Sequence, residues 1–349
     1  MAVLFHDGLD HYGTGNIPNS LVQAGGFVAS GYSIPTVTIP LQTTYARYSA
    51  AVNGSVASLG AMLITSNVAN SIWIKRAISS WVDRLVVGFA IQLNATPVLG
   101  EVQVFEFNAS AQVSILPDMR VKAFNKITTY KLEVGVYYFF EVQVDKDGNG
   151  SLWISNTPVT DATALDPIII DWHIMGKVPG TATSGLIYVD DIYVLDGSGT
   201  THTSRLGRTN SILRIPTATV EAGFSVSSGS ALNHTYVAKS VYSGDTSYVK
   251  TNKAFRDLYG NNTPMKSTKS IKAVSVITSA RREDADDFRI IPILKSGETV
   301  TDGIEYPLTQ YNYIGIFQTY DFDPATGAEW LYPALLAASW GQRLKVPVF

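Results

Sequence analysis

Glu101 and Glu106 stand five positions apart in EVQVFE, a run whose alternation of polar and apolar residues reads as a β-strand. A pair of carboxyl groups about 5–5.5 Å apart can perform retaining glycoside hydrolysis, one as nucleophile and the other as acid. Two features oppose that chemistry here. Gln103 occupies the position where a third acid would tune its neighbours, and it carries no charge. Without a bulge, residues five apart on a strand also point to opposite faces. The expectation is a solvated strand with two exposed glutamates, and a glycoside hydrolase is a minor alternative.

Asp145, Asp147 and Asn149, followed by Gly150, place oxygen donors at alternate positions, as the first half of a calcium loop does. The twelfth position, where a bidentate glutamate closes such a loop, is Asn156, and the flanking residues read as strands, not helices. A hairpin turn explains the same residues, so these three are a weak calcium-like turn and no metal or other cofactor is expected. The histidines at 6, 11, 173, 202 and 234 show no zinc-binding spacing. With no cysteine in the chain, thiolate metal sites, disulfides and a cysteine nucleophile are excluded. Phosphate-binding and nucleophile-elbow motifs are missing too. No catalytic residue is assigned, and the chain is expected not to be an enzyme.

Such residues have to be positioned by strands. Short runs rich in Val, Ile, Tyr, Phe and Trp recur at 71–75, 84–93, 101–107, 136–144, 150–155 and 185–195. In Glu141-Val142-Gln143-Val144-Asp145 the period of two predicts one buried and one wetted face. Asp147-Gly148-Asn149-Gly150 is a hairpin turn between two such runs. Within 187–194 the apolar residues change parity across Asp190-Asp191, which predicts a β-bulge there.

The polar stretch 196–201 (DGSGTT) separates halves of unlike charge. Residues 1–196 hold 10 Lys/Arg against 16 Asp/Glu, and residues 197–349 hold 16 against 13. A sandwich domain over 1–196 and a smaller β-rich domain over 197–349 are expected. In the second, strands are predicted at 270–278, 288–294 and 311–320, with the charged stretch 281–287 as a hairpin tip between the first two. A helix is predicted over 329–339, with Pro333 in its first turn.

Charged residues make up 16% of the chain and the net charge is −3, so no basic field points to nucleic acid. No apolar run approaches the length of a membrane span, and the opening MAVLFHDGLDHYG lacks the features of a secretion signal. The expectation is a protein made without secretion and not inserted in a membrane.

Several segments together resemble a family of bacteriophage virion proteins with a lectin-like sandwich. They are Leu4-Phe5-His6-Asp7-Gly8-Leu9-Asp10-His11-Tyr12, Tyr188-Val189-Asp190-Asp191-Ile192-Tyr193-Val194-Leu195-Asp196, Arg205-Leu206-Gly207-Arg208 with Asp245-Thr246-Ser247-Tyr248-Val249, and Asp323-Pro324-Ala325-Thr326-Gly327 with Trp330. The resemblance implies an all-β fold, a concanavalin A-like jelly roll followed by a smaller β-rich domain with a short C-terminal helix. It implies that the first and last strands of the sandwich pair. It also implies a structural or host-contacting role in the tail, the adsorption apparatus or a surface decoration, with no known catalytic site.

The expected partners are further copies of the chain and other virion proteins, with a host surface glycan as the lectin-like alternative. The expected location is the virion, assembled in the host cytoplasm. Tyr311, Tyr313, Phe317, Trp330, Trp340 and Phe349 are the candidate interface residues, and the terminal Phe349 is expected to dock on its own or a neighbouring subunit.

Overall fold

The computed structural model describes residues 3–7, 15–17, 28–30, 39–42, 61–64, 73–78, 81–93, 95–97, 100–177, 187–198, 202, 204–209, 211–229, 232–238, 244–261, 263–264, 270–284, 286–310 and 313–346. These form two compact units, the first extending to Ile212 and the second running from Leu213.

The first unit holds β1 (Val3–Asp7), β2 (Gly15–Ile17), β3 (Val28–Ser30), β4 (Ile39–Gln42), β5 (Ala61–Ile64), β6 (Trp73–Ala77), β7 (Arg84–Leu93) and β8 (Val102–Glu106). It continues with β9 (Gln112–Ile115), β10 (Arg120–Ala123), β11 (Lys126–Lys131), β12 (Tyr137–Asp145), β13 (Gly150–Ile154), β14 (Thr157–Ala162), β15 (Asp171–Lys177) and β16 (Ile187–Leu195). One sheet runs β14-β13-β12-β7-β16-β5-β4-β2, with β1 also on β16, and the other runs β11-β10-β9-β8-β15-β6-β3. The two sheets meet face to face as a jelly-roll sandwich. Phe89 of β7 stacks on Phe105 of β8, with ring centroids 5.3 Å apart, and on its neighbour Phe140 of β12 at 5.6 Å. Strand β7 is buried from Leu85 to Leu93 on both faces, which is why it reads as a continuous apolar run.

The strands that open and close the sandwich pair antiparallel, Val3 opposite Leu195 and Asp7 opposite Ile192. Residues 187–189 of β16 pair with β5. Between the two pairings the register against β7 shifts, and Asp191 takes a φ of +47°, so the predicted bulge lies at the aspartates. The hairpin after β12 also forms, with Val144 opposite Gly150. Gly148 has a φ of +77°, and a Cβ there would sit 2.5 Å from the Leu165 carbonyl oxygen.

The second unit contains β17 (Ala218–Ala222), β18 (Ser225–Val226), β19 (Val249–Lys250), β20 (Arg256–Gly260), β21 (Val274–Ala280), β22 (Arg289–Ser296), β23 (Thr299–Asp302), β24 (Tyr306–Pro307), β25 (Ile314–Tyr320) and β26 (Ser339–Lys345). Its described residues also form two short α-helices, α1 (His234–Val237) and α2 (Tyr332–Ala337). One sheet runs β17-β20-β26-β22-β23, with β24 on β22, and β18-β19 and β21-β25 form separate two-stranded ribbons. Val276, Leu294, Tyr320, Trp330 and Leu335 form one core cluster.

Two expectations need correction here. The charged stretch 281–287 is not a hairpin tip, because β21 pairs along its whole length with β25 while β22 pairs with β26. The residues after α2 form β26, a central strand between β20 and β22, which cuts the predicted helix short. Phe349 lies outside the described residues, as does Tyr311.

Candidate functional site

Among the described residues of the first unit, a dense polar cluster is built on Glu141. Phe140 faces the other sheet, so strand alternation puts Phe139 and Glu141 of β12 on the outer face. Opposite Glu141 stands Gly88 of β7, which is in turn opposite Tyr193 of β16. A Cβ on Gly88 would lie 2.1 Å from Tyr193 Cε1, so the phenol ring crosses the sheet where only a glycine leaves room. The ring stacks on Phe139, with centroids 6.0 Å apart. Its hydroxyl donates to Glu141 Oε1 at 2.5 Å.

Residues 205–207 close over this carboxylate. The Gly207 N–H donates to Glu141 Oε1 at 2.7 Å, Arg205 Nη1 donates to Oε2 at 3.0 Å, and the Leu206 N–H donates to the Tyr193 hydroxyl at 3.1 Å. Arg205 also donates to Asn156 Oδ1 at 3.2 Å and lies 5.0 Å from the centre of the Trp153 ring. Burial, followed by the Glu141 charge, pushes the Tyr193 phenol far above its ordinary range, so it stays a donor. Farther on, the Ser211 N–H donates to Asp191 Oδ1 at 2.7 Å. Residues 205–207 and Ser211 are thereby held on the sandwich, and the first unit reaches past the polar stretch at 196–201. The prediction that this face of β12 is wetted is corrected at Glu141, which is fully buried.

The second unit repeats the device on Asp257 of β20. Its Oδ1 accepts from the N–H groups of Gly223 at 2.6 Å and Phe224 at 2.7 Å. Its Oδ2 accepts from Asn233 Nδ2 and the Tyr259 hydroxyl, both at 2.7 Å. Tyr259 is raised well above its usual range by burial and then by the Asp257 charge. In both units a buried carboxylate binds a tyrosine hydroxyl and the backbone of a crossing segment. Chemically each works as a staple whose acceptors are taken by fixed donors.

The residues singled out from sequence are dispersed. Glu101 accepts from Lys122 Nζ at 2.9 Å, and Glu106 accepts from Gln103 Nε2 at 3.0 Å. The register of β8 against β9 shifts between Gln103 and Phe105, and the expectation of a solvated strand with two exposed glutamates is corrected: Glu101 and Glu106 are half-buried and Gln103 is buried, because β8 pairs on both sides, with β9 and β15. Asp145 Oδ1 accepts from the N–H groups of Asp147 at 3.0 Å and Asn149 at 2.8 Å, and its Oδ2 accepts from Asn149 Nδ2 at 2.9 Å. That is an Asx turn closing the hairpin. Among the described residues no three His, Asp or Glu side chains converge as metal ligands, and no helix is long and apolar enough to cross a membrane.

Among the aromatics, Trp153 is faced by Arg205, and Trp81 by Lys146 Nζ at 3.6 Å. Trp330 is buried in its own unit, with Nε1 donating to the Tyr320 carbonyl at 3.0 Å, so its ring is not offered to a neighbour. Trp340 packs partly against the same core. Phe317 is half-buried on β25. The Tyr313 hydroxyl donates to Asp245 Oδ1 at 2.7 Å, and Arg281 Nη2 donates to the same oxygen at 2.9 Å. Those two bonds hold the Asp245 carboxyl below the usual carboxylate range. The Glu141 and Asp257 staples were missed from sequence. The available signal was a charged residue inside a strand otherwise made of core side chains.

No protein-family model matches the chain, and no curated protein sequence matches it either. Among solved structures, the chain is similar to the cellulose-induced protein Cip1, at 12% identity over 52% of this chain and 94% of that one, with a TM-score of 0.39. It is similar to the polysaccharide lyase family 7 alginate lyase AlgAT5, at 7% identity over 38% and 77% of the two chains, with a TM-score of 0.34. A Trypanosoma rangeli sialidase matches at 13% identity over 47% of this chain and 31% of its own, with a TM-score of 0.31. At such identities and TM-scores none of the three carries an activity or a partner over to this chain, and none is described as a virion protein.

Proposed function

We propose that this chain is a non-enzymatic structural protein of a bacteriophage particle, in the tail, the adsorption apparatus or a surface decoration, acting through protein–protein contacts. The observation that carries the reading is where the virion-like segments fall in the fold. β1 and β16 close the sandwich, with the Asp190-Asp191 bulge between two pairing partners. Arg205 and Gly207 are clamped on Glu141. Asp245 joins Arg281 to Tyr313. Asp323 accepts the Ala325 N–H at 3.0 Å in the turn that leads to the buried Trp330. Residues that carry the resemblance thus serve to hold the fold, as expected of a module valued for rigidity and contact.

Quantitative mass spectrometry of gradient-purified phage particles from a lysate that produces the chain tests the reading. The chain is expected at a fixed copy number comparable with known structural proteins. Recovery only from the soluble lysate overturns the proposal. Specific glycan-array binding by the purified chain would favour the lectin-like alternative.

A further inference from the structure

The loop between β14 and β15 presents an apolar tip in a fixed geometry. Ile168 and Ile170 are 73% and 70% exposed, while Ile169 between them is 6% exposed and anchors the loop inward. The backbone around them is tied down. Asn108 Nδ2 donates to the carbonyls of Asp166 at 2.8 Å and Ile168 at 3.2 Å, and the Asp166 N–H donates to Ser110 Oγ at 2.9 Å. The Ile168 N–H donates to Asp166 Oδ1, and the Ile78 N–H to the Ile170 carbonyl. Two isoleucines held outward by such bonds lose little conformational freedom on docking, the property of an interface anchor. Their flank is acidic. Asp166 is exposed and forms no ion pair among the described residues.

The second unit carries a feature of complementary chemistry. Phe255, 47% exposed, ends a short turn before β20, with Lys253 Nζ 5.8 Å from its ring. Lys250 and Lys253 are exposed, and among the described residues neither has an acidic partner. The net charges of the units are also opposite. Residues 1–212 hold 12 Lys/Arg against 16 Asp/Glu, and residues 213–349 hold 14 against 13.

From this complementarity we infer that the Ile168/Ile170 tip of one copy docks on the Phe255 turn of a second copy, with Asp166 facing Lys250 and Lys253. The contact is heterologous, so it propagates head to tail into a ring or a filament, as a protein repeated around a particle axis requires. The inference rests on the virion reading and adds the self-association surface.

Sedimentation velocity of the full chain over a wide concentration range tests it. Wild type is expected to associate, more weakly at high salt. Ile168→Ser and Ile170→Ser should each raise the dissociation constant about tenfold, and Asp166→Asn, which keeps the oxygen that accepts the Ile168 N–H, should remove most of the salt dependence. The decisive arm mixes two assembly-deficient chains. One carries Ile168→Ser with Ile170→Ser, and the other Lys253→Glu with Phe255→Ser. Each alone is expected to stay monomeric with an unchanged melting temperature. Their mixture keeps one intact contact and should form dimers that do not grow.

A wild type monomeric at every concentration, or a mixture that stays monomeric although wild type associates, overturns the inference. If the tip variant is shut out of particles while wild type is monomeric, the tip meets a different particle protein and the second-copy assignment fails. Particle mass spectrometry reads the virion proposal separately, so the two can fail independently.

Discussion

Glu141→Ala is the sharpest perturbation of the first unit. The side chain accepts from the Tyr193 hydroxyl, the Gly207 N–H and Arg205 Nη1, and alanine removes the acceptor of the first two and leaves Arg205 only Asn156 Oδ1. Removing one partner of a buried, hydrogen-bonded charge pair costs about 3–5 kcal/mol. Arg205 is 29% exposed and can turn to water, which places the expected loss near the middle, about 4 kcal/mol. At about 2–4 °C per kcal/mol for a domain of this size, the melting temperature should fall by about 8–16 °C. Calorimetry of the full chain reads that loss. Hydrogen exchange reads its cause, because the amides of Leu206 and Gly207 should lose protection while those of β7 keep theirs. Arg205→Ala leaves the buried Glu141 carboxylate with its two remaining donors and no cation, and water can enter at the exposed edge, so it should cost about 2–3 kcal/mol. A Glu141→Ala protein destabilised by less than about 1 kcal/mol, with both amides still protected, would refute the staple.

Gly88→Ala places a methyl group in the Tyr193 ring and should cost about 1–3 kcal/mol, and Tyr193→Ala in the same chain should relieve that strain; denaturant titration checks both. Asp257→Asn exchanges one acceptor oxygen for a donor facing Asn233 and Tyr259, so a loss of about 2–3 kcal/mol confined to the second unit is expected by hydrogen exchange. His6 is half-buried on β1, its Nε2 is sealed from solvent without a hydrogen-bond partner, and burial pushes its pKa down from 6.5 to about 4. The unfolded chain therefore binds more protons between pH 6.5 and 4, and up to about 3 kcal/mol of stability should be lost as pH falls through that window; His6→Gln should flatten the profile. Because Asp145 spends both oxygens on the hairpin turn, neither calcium nor a chelator should move the melting temperature.

What the sequence made legible was what depends on local pattern. The turn at 147–150 and the parity change across Asp190-Asp191 each follow from neighbours a few residues apart and appear where they were read, whereas the period of two in 141–145 holds at Gln143 and Asp145 and fails at Glu141. What stayed hidden depends on residues distant in the chain. Glu141 looks like the wet side of an amphipathic strand because the segment that buries it arrives more than sixty positions later. Strand β26 has no long alternating run, since Gly341 sits where a Cβ would lie 2.0 Å from the Asp257 carbonyl oxygen. The pairing of β21 with β25, across the intervening β22, β23 and β24, is likewise invisible to a reading that joins adjacent strands. The exposed isoleucines read as one more apolar run, because only the fold shows which of three consecutive side chains turns inward.

A reconstruction of the purified particle at a resolution that traces strands tests the central claim most directly. The account predicts density for this two-unit β fold at symmetry-related positions, with copies in mutual contact. Particles of full occupancy and infectivity in which no density fits the sandwich would contradict it.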